Sequence, residues 1–357
     1  MNLVNNSDLQ AGFTFYTDKH GYEYVLVVVK GTFTIGPDGT CTPSESPQPL
    51  VSADEYYGEP GLSSVRYETD FAPHKPRADV IVIGCAHAAD GRSVEKIDVS
   101  LEVGPIHKTV RVFGPRAWRG ALPWGAVSSS PEPFLTMPLV YERAFGGIDL
   151  SEDEGKQLAV ELRNPVGVGI RARYRAAVEG TPLPNLESPA HPIRRVTDRP
   201  PTASFGFLGR NWQPRSTYAG TYNQDWLDNQ YPFLPLDFDD RYFQGAPEDQ
   251  LCDYFQGGEV ITLRNMTPDR VLLARLPSVT VPIRLISTTR EEDLDPALDT
   301  VVLEPEQRRL MMTWRALTRL KGKASLLREL RVGALSPGRQ RALETGKRYI
   351  DWSGGRR

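Results

Sequence analysis

The sequence has few of the residues on which metal sites and nucleophilic catalysis depend. Its 357 residues include 3 cysteines and 5 histidines, and neither type recurs at the short spacings of zinc sites or disulfide frameworks. No HExxH motif, no GxSxG nucleophile elbow and no GxxxxGK[ST] phosphate-binding loop occurs. We therefore expect no metal, no cofactor and no catalytic residue in this protein.

Long apolar runs are also missing from the chain. No apolar segment approaches the roughly 20 residues that a helix needs to cross a bilayer, and the first ten residues lack the basic and apolar regions of a secretory signal. The formal net charge of -3 gives no overall attraction to nucleic acid or to an anionic membrane. The sequence predicts a cytoplasmic protein with no membrane partner.

The chain is rich in turn-forming residues and in short segments with strand character. It contains 31 glycines and 30 prolines, more than a helical bundle tolerates. Segments of β-branched and aromatic residues predict strands, and they lie at residues 22–35, 78–86, 94–103, 107–113, 258–265, 271–276, 279–287, 300–303 and 309–314. The predicted fold is mainly β, with antiparallel sandwich-like sheets, long wrapping loops and a short C-terminal helical segment.

Two neighbouring groups of strands have a predicted pairing. Residues 78–86, 94–103 and 107–113 follow one another through turn signals, so we expect a three-stranded antiparallel meander. Residues 300–303 and 309–314 are joined by a short EPEQ connection and predict a hairpin. These strands belong to a predicted β-rich domain over residues 1–314, for which two subdomains meeting near residues 120–200 remain an alternative.

The last part of the chain differs from the rest in charge and in period. Residues 315–357 contain twelve Lys or Arg and three Asp or Glu. Four leucines recur near the helical period, which predicts a helix over residues 316–330: Leu317, Leu320, Leu327 and Leu330. The apolar face favours a docked helix with a solvated basic face, whereas binding of nucleic acid, with Trp314 and Tyr349 as stacking rings, is the alternative.

The 205–250 loop is aromatic and acidic and has little helical or strand period. Residues 225–253 contain eight acidic residues and one basic residue, Arg241. Rings in such a loop either complete the core or serve as anchors for a partner. The candidate partner-binding residues are Trp212, Arg215, Tyr222, Trp226, Asp237, Phe238, Asp239 and Arg241. The carboxylates of Asp237 and Asp240 also leave a carbohydrate hydrolase open as an alternative, which requires two acids about 5 to 10 Å apart.

Several segments of the chain resemble one bacterial protein family. They are VVVKGTFTI at residues 27–35, PLVYERAFGG at 138–147 with NPVGVG at 164–169, NWQPRSTYAGTYNQDW at 211–226, and YPFLPLDFDDRYFQGAPEDQ at 231–250. They are similar to the domain-of-unknown-function family two-one-six-nine, whose members are encoded beside type VI secretion genes for the spike protein and the PAAR-repeat tip. The resemblance covers residues 3–314.

This resemblance implies a function rather than a set of functional residues. It implies a cytoplasmic adaptor or chaperone, not an enzyme, that stabilises a toxic effector and loads it onto the spike or the PAAR-repeat tip. The expected partners are therefore a secreted effector protein and the spike or tip protein. The family supplies no catalytic residue and no binding map, so the eight residues named in the 205–250 loop depend on physical argument alone.

Overall fold

A computed structural model shows a mainly β protein, as the sequence predicts. It describes residues 1–120, 125–150, 157–171, 178–322 and 324–334, with 338, 341–342 and 345–346. None of the helices in these ranges is long and apolar enough to cross a membrane.

The described residues form 26 strands, most of them short. In chain order they are β1 (Asn2–Asn5), β2 (Gln10–Thr17), β3 (Glu23–Ile35), β4 (Cys41–Pro43), β5 (Glu55–Tyr56), β6 (Val65–Tyr67), β7 (Ala78–Val82), β8 (Cys85–His87), β9 (Lys96–Val103), β10 (Ile106–Phe113), β11 (Trp118–Arg119), β12 (Val127–Ser128), β13 (Thr136–Pro138), β14 (Phe145–Gly146), β15 (Ile148–Leu150), β16 (Gln157–Val160), β17 (Val168–Gly169), β18 (Leu186–Glu187), β19 (Leu251–Cys252), β20 (Val260–Arg264), β21 (Val271–Arg275), β22 (Ile283–Ser287), β23 (Glu291–Leu294), β24 (Ala297–Glu304), β25 (Arg309–Arg319) and β26 (Leu327–Val332).

Helices are few and short in the same ranges. The α-helix α1 covers Gln224–Asn229. Single turns of 3₁₀ helix cover Ala89–Gly91, Tyr141–Arg143, Arg215–Tyr218, Asp240–Phe243, Glu248–Gln250, Pro305–Gln307 and Ala324–Leu326.

The largest sheet contains seven strands and supports the rest of the fold. Its order is β19-β7-β24-β25-β3-β2, and β4 also pairs with β3. The long strands β3 and β25 pair from Tyr24 and Arg319 at one end to Thr34 and Arg309 at the other. The β-branched run in β3 is fully buried, because both faces of this strand are covered by other parts of the chain.

Two smaller sheets pack with the seven-stranded sheet around one core. One has the order β18-β10-β9-β20-β21 and the other has the order β1-β26-β22-β23. A single cluster of buried apolar residues includes Val27 of the seven-stranded sheet, Leu101 of the five-stranded sheet and Leu330 of the four-stranded sheet. Burial of this shared apolar surface is the main source of stability for such a layered β protein.

The predicted hairpin of residues 300–303 and 309–314 is confirmed, because β24 pairs with β25, but the predicted meander is wrong. Strands β9 and β10 pair with each other as expected. Strand β7 instead pairs with β19 and, in parallel, with β24, so residues 78–86 do not join β9. All five residues of β7 are buried, which is the pattern of a strand covered on both faces next to a parallel neighbour.

The helix predicted over residues 316–330 is also wrong. Residues 316–319 continue β25, where Ala316 pairs with Val27, and residues 327–332 form β26 between β1 and β22. Gly322 lies between them with a φ of +129°, a conformation that a right-handed helix does not contain. Pairing with distant strands therefore overrides the leucine period. Most of the predicted tail beyond residue 334 lies outside the described residues.

We expect Leu330→Ala to destabilise the protein by about 2 to 5 kcal/mol, since Leu330 is fully buried in β26. Arg328→Ala, at an exposed position of the same strand, is the control and should change the free energy of unfolding by less than about 0.5 kcal/mol. Urea unfolding measures both. Equal effects of the two substitutions would contradict this placement of β26.

Candidate functional site

The 205–250 loop is closed at its base by Gln250. The Gln250 side-chain amide donates to the backbone oxygen of Phe205, at the start of the loop, at 3.0 Å, and to that of Val80 in β7 at 2.6 Å. Its oxygen accepts a hydrogen bond from the buried Lys108 of β10 at 2.7 Å. One buried side chain thus joins both ends of a long loop to two sheets.

Lys108 is itself held by an acidic residue of the loop. Its ammonium donates to the Asp249 carboxylate at 2.8 Å. Burial lowers the pKa of Lys108, while the nearby charge of Asp249 acts in the opposite direction. The two last residues of the motif that ends at Gln250 therefore bind one lysine of the five-stranded sheet.

Buried charges hold the middle of the loop against the segment that precedes β7. The Arg215 guanidinium donates to the Glu68 carboxylate at 2.5 Å and to the backbone oxygen of Leu208 at 2.6 Å. Arg210 lies 3.1 Å from the same carboxylate, and the Lys75 ammonium lies 3.7 Å from it. Burial would raise the pKa of Glu68, but these three positive charges outweigh it and lower that pKa to about 2.

Asp79 supplies the hydrogen-bond acceptors that the irregular backbone needs. Its carboxylate accepts hydrogen bonds from the backbone N–H groups of Gly245 at 2.9 Å and Ala246 at 3.2 Å, and from the Gln244 side chain at 2.8 Å. It also accepts from the Lys75 ammonium at 2.6 Å. Buried backbone amides outside a sheet need such partners, so Asp79 fixes the path of residues 244–246.

The same charges continue into the centre of the seven-stranded sheet. Lys75 donates to Thr300 in β24 at 3.1 Å. Arg315 in β25 pairs with Asp299 and donates to Thr300 at 3.0 Å, and burial raises the pKa of Asp299. We name the set Glu68, Lys75, Asp79, Arg210, Arg215, Asp299 and Arg315 the buried charge network.

Three of the eight predicted partner-binding residues are inside the protein. Trp212 packs edge-on against Tyr141, with ring centroids 5.3 Å apart. Phe238 lies in a small apolar cluster with Ala72, and Arg215 belongs to the buried charge network. Because all three are almost fully buried, they position the loop and do not face a partner.

Three further predicted residues make contacts within the loop. The Asp237 carboxylate accepts hydrogen bonds from Thr221 through its N–H at 3.0 Å and its hydroxyl at 2.7 Å, and these bonds lower the pKa of Asp237. Asp239 caps the turn after it and binds the Arg241 guanidinium at 2.6 Å, which lowers the pKa of Asp239. Arg241 lies 4.3 Å from the centre of the Tyr218 ring.

The last two predicted residues lie together at the surface. Trp226 contacts Tyr222 and Tyr231 edge-on, at centroid distances of 4.8 Å and 5.7 Å. Its indole N–H donates to the backbone oxygen of Phe233 at 2.9 Å. We name Tyr222, Trp226, Leu227, Tyr231 and Phe233 the aromatic patch. All of its members are exposed except Trp226, which is half-buried.

Hydrogen bonds of Asn223 and Gln230 hold the backbone of the aromatic patch in place. The Asn223 side chain caps α1 by accepting the N–H of Trp226 at 2.9 Å. The Gln230 amide donates to the backbone oxygens of Lys19 at 2.6 Å and Leu234 at 2.8 Å, which joins the patch to the turn between β2 and β3. Sequence reasoning missed Leu227, Tyr231 and Phe233, although their nearness to Trp226 in the chain was a usable signal.

The carboxylates that a hydrolase would use each have another partner. Asp237 binds Thr221, Asp239 binds Arg241, and Asp240 lies 2.9 Å from the imidazole of His74. Among the described residues, no group of three or more His, Cys, Asp or Glu could hold a metal ion.

The cysteines are poor candidates for nucleophiles. Burial raises the pKa of the Cys252 thiol to about 11 and that of the Cys85 thiol to about 12. Because the thiolate is the reactive form, both side chains stay protonated at neutral pH. Neither thiol is therefore poised to attack a substrate.

We expect Asp79→Asn to destabilise the protein by about 3 to 5 kcal/mol, because it leaves the Lys75 charge buried beside Glu68 without its closest partner. Asp98→Asn is the control, since Asp98 forms an exposed pair with Arg111, and should cost less than about 1 kcal/mol. Urea unfolding measures both, and limited proteolysis should show earlier cleavage in residues 205–250 of the Asp79 variant. Equal destabilisation would refute the structural role of the network.

We expect the contribution of His74 to stability to depend on pH. Its hydrogen bond with Asp240 raises the pKa of His74 above the ordinary value of 6.5. A histidine whose pKa is higher in the folded than in the unfolded state stabilises the folded protein, and this stabilisation is complete at pH values below the unfolded pKa. It is lost as the pH rises through the folded pKa. The difference in free energy of unfolding between the parent and His74→Gln should therefore shrink as the pH rises above about 6.5.

The control for this measurement is His191→Gln, at an exposed histidine. His20 lines the same small cavity as His74 and Asp240, and it is present in both the parent and the His74→Gln variant. A difference for His74→Gln that stays constant with pH would contradict the proposed link to Asp240.

Comparison with known proteins identifies a family for most of the chain. Residues 20–315 match the sequence model of a family described as an uncharacterized protein conserved in bacteria, DUF2169. No curated protein and no solved structure matches the chain. The matched range contains β3, the 205–250 loop and the buried charge network. The chain therefore belongs to the DUF2169 family of bacterial proteins.

Proposed function

We propose that this protein is an adaptor that binds another protein through the aromatic patch. In type VI secretion it would act in the cytoplasm as a chaperone that stabilises a toxic effector and loads it onto the spike or the PAAR-repeat tip. The proposed binding of another protein is supported by an exposed aromatic cluster on a loop that buried contacts hold in place. The proposed role in type VI secretion is supported by the family resemblance alone.

The side chains of the aromatic patch suit a protein interface. Tyr231 is 65% exposed, Tyr222 53% and Leu227 52%. Aromatic rings bury a large area with few rotatable bonds, and tyrosine adds a polar group for a hydrogen bond at the rim. A cluster of such rings at the surface is typical of the few residues that dominate binding energy.

The support beneath the patch favours binding as well. Asn223 and Gln230 hold the backbone of the patch, and the buried charge network holds the loop from which it projects. Since ordering a mobile loop on binding reduces affinity, a patch that is already held in place retains more of its contact energy.

The two alternative functions have less support. The acids required for hydrolysis bind Thr221, Arg241 and His74. For nucleic-acid binding by the tail, Trp314 is buried in β25 and offers no stacking surface, while Tyr349 lies outside the described residues.

We expect the combined change Tyr222→Ser, Leu227→Ser and Tyr231→Ser to weaken binding of the effector encoded beside this chain by at least about a hundredfold. Loss of two central anchors at about 2 kcal/mol each would produce a change of this size. The measurement is the dissociation constant of the purified pair, with unfolding checked on each variant. The control is Leu135→Ser, which changes a side chain of similar exposure outside the patch.

Unchanged affinity in the triple variant, with an unchanged fold, would rule out the aromatic patch as the binding surface. The chaperone role has a separate measurement, the level of soluble effector in cells with and without this protein. An effector that accumulates equally in both would refute that role even if the two proteins bind.

A further inference from the structure

A concave surface lies outside the aromatic patch. It is an open cleft of about 770 Å³, within the range of about 300 to 1,000 Å³ that is usual for ligand sites. Its walls come from the β5–β6 hairpin, from residues 83–85 between β7 and β8, from residues 138–143, and from the turn after β24. The cleft shares no lining residue with the aromatic patch.

Much of the cleft wall is apolar. The apolar lining residues are Ile83, Pro138, Val140, Val168, Pro182 and Leu183. Two hydrogen bonds fix the position of the β5–β6 wall, because the Glu142 carboxylate accepts the N–H of Ser64 at 2.7 Å and its hydroxyl at 2.8 Å. The cleft is therefore a formed surface with room for apolar side chains.

The acidic residues of the cleft are all bound to donors of this chain. Glu142 binds Ser64. Glu304 accepts from the Tyr67 hydroxyl and from Arg309, and Glu306 lies 2.9 Å from the His87 imidazole.

The two arginines of the cleft have no such partners. Neither Arg66 nor Arg143 forms an ion pair with any residue in the described ranges. Arg66 lies near the rings of Tyr57 and Tyr67, at 5.9 Å and 5.2 Å. Arg143 donates one long bond of 3.3 Å to Asn185. A guanidinium has five N–H donors, so most of those on Arg66 and Arg143 are available to a ligand.

We propose that this cleft binds an extended, mostly apolar segment of a partner protein through one carboxylate of that segment. Arg66 and Arg143 bind the carboxylate, and the apolar wall takes the side chains that flank it. Planar guanidinium groups bind carboxylates with paired, charge-assisted hydrogen bonds. The charges of Glu142, Glu304 and Glu306 also line the cleft, and they repel a multiply charged phosphate more than a single carboxylate.

This inference goes beyond the proposed function. It concerns a different surface, and its test uses peptides rather than an effector. Failure of the peptide test leaves binding through the aromatic patch unaffected, and failure of the patch test leaves the cleft unaffected.

The test uses the full chain and a pooled library of amidated hexapeptides with random apolar residues around one central position. That position is aspartate in half of the library and asparagine in the other half. We expect the immobilised protein to retain aspartate peptides at least tenfold over asparagine peptides. Arg66→Gln and Arg143→Gln should each abolish this preference, while Arg328→Gln, an exposed arginine in β26, should leave it unchanged.

Three results would overturn the inference. The first is equal retention of aspartate and asparagine peptides, or no retention above that of protein-free resin. The second is an aspartate preference that survives in Arg66→Gln, whose exposed side chain forms no ion pair within the described residues, so the fold should tolerate its loss. The third is release of bound peptide by inorganic phosphate at a lower concentration than acetate, which would assign the cleft to a phosphate-bearing ligand.

Discussion

The ion pairs between the 205–250 loop and the segment before β7 are the constraint on which the position of the aromatic patch depends. Removing charged groups from water is unfavourable, and it is offset only where each charge finds close partners with good geometry. Glu68 has Arg210 and Arg215 within 3.1 Å, and Asp79 has four donors. A different path of the loop would leave some of these charges buried and unpaired, so the network selects one conformation.

The network acts on the loop because rigid strands supply three of its seven members. Asp79 lies on β7, Asp299 on β24 and Arg315 on β25, which are adjacent strands of the seven-stranded sheet. Their positions are fixed by ladder hydrogen bonds and by the shared apolar core. These strand residues fix the path of the irregular loop, which presents the aromatic patch at the surface.

The sequence predicts local structure well where turn chemistry marks it. The turn at residues 305–308 joins the two expected strands. The partner of β7 was not predictable in this way, because β24 lies more than 200 residues further along the chain and an apolar run does not specify which sheet it enters. In the 205–250 loop, Trp212 is buried and Trp226 is half-buried. The segment has no helical or strand period, so its sequence does not show which tryptophan faces the core. Glu68 and Asp79, which bind the loop, lie in a segment whose sequence has no pattern that marks them as contacts of the loop.

The aromatic patch and the cleft depend on the same support. Glu68 follows directly after β6, the strand that carries Arg66 into the cleft wall, and its carboxylate holds Arg215 of the loop that carries the aromatic patch. Separating the two segments would leave these charges buried and unpaired, which is unfavourable. A partner that used both proposed surfaces would have to present its apolar anchors and its carboxylate at the spacing that this shared support sets. Binding at two fixed points selects partners more strictly than either surface does alone.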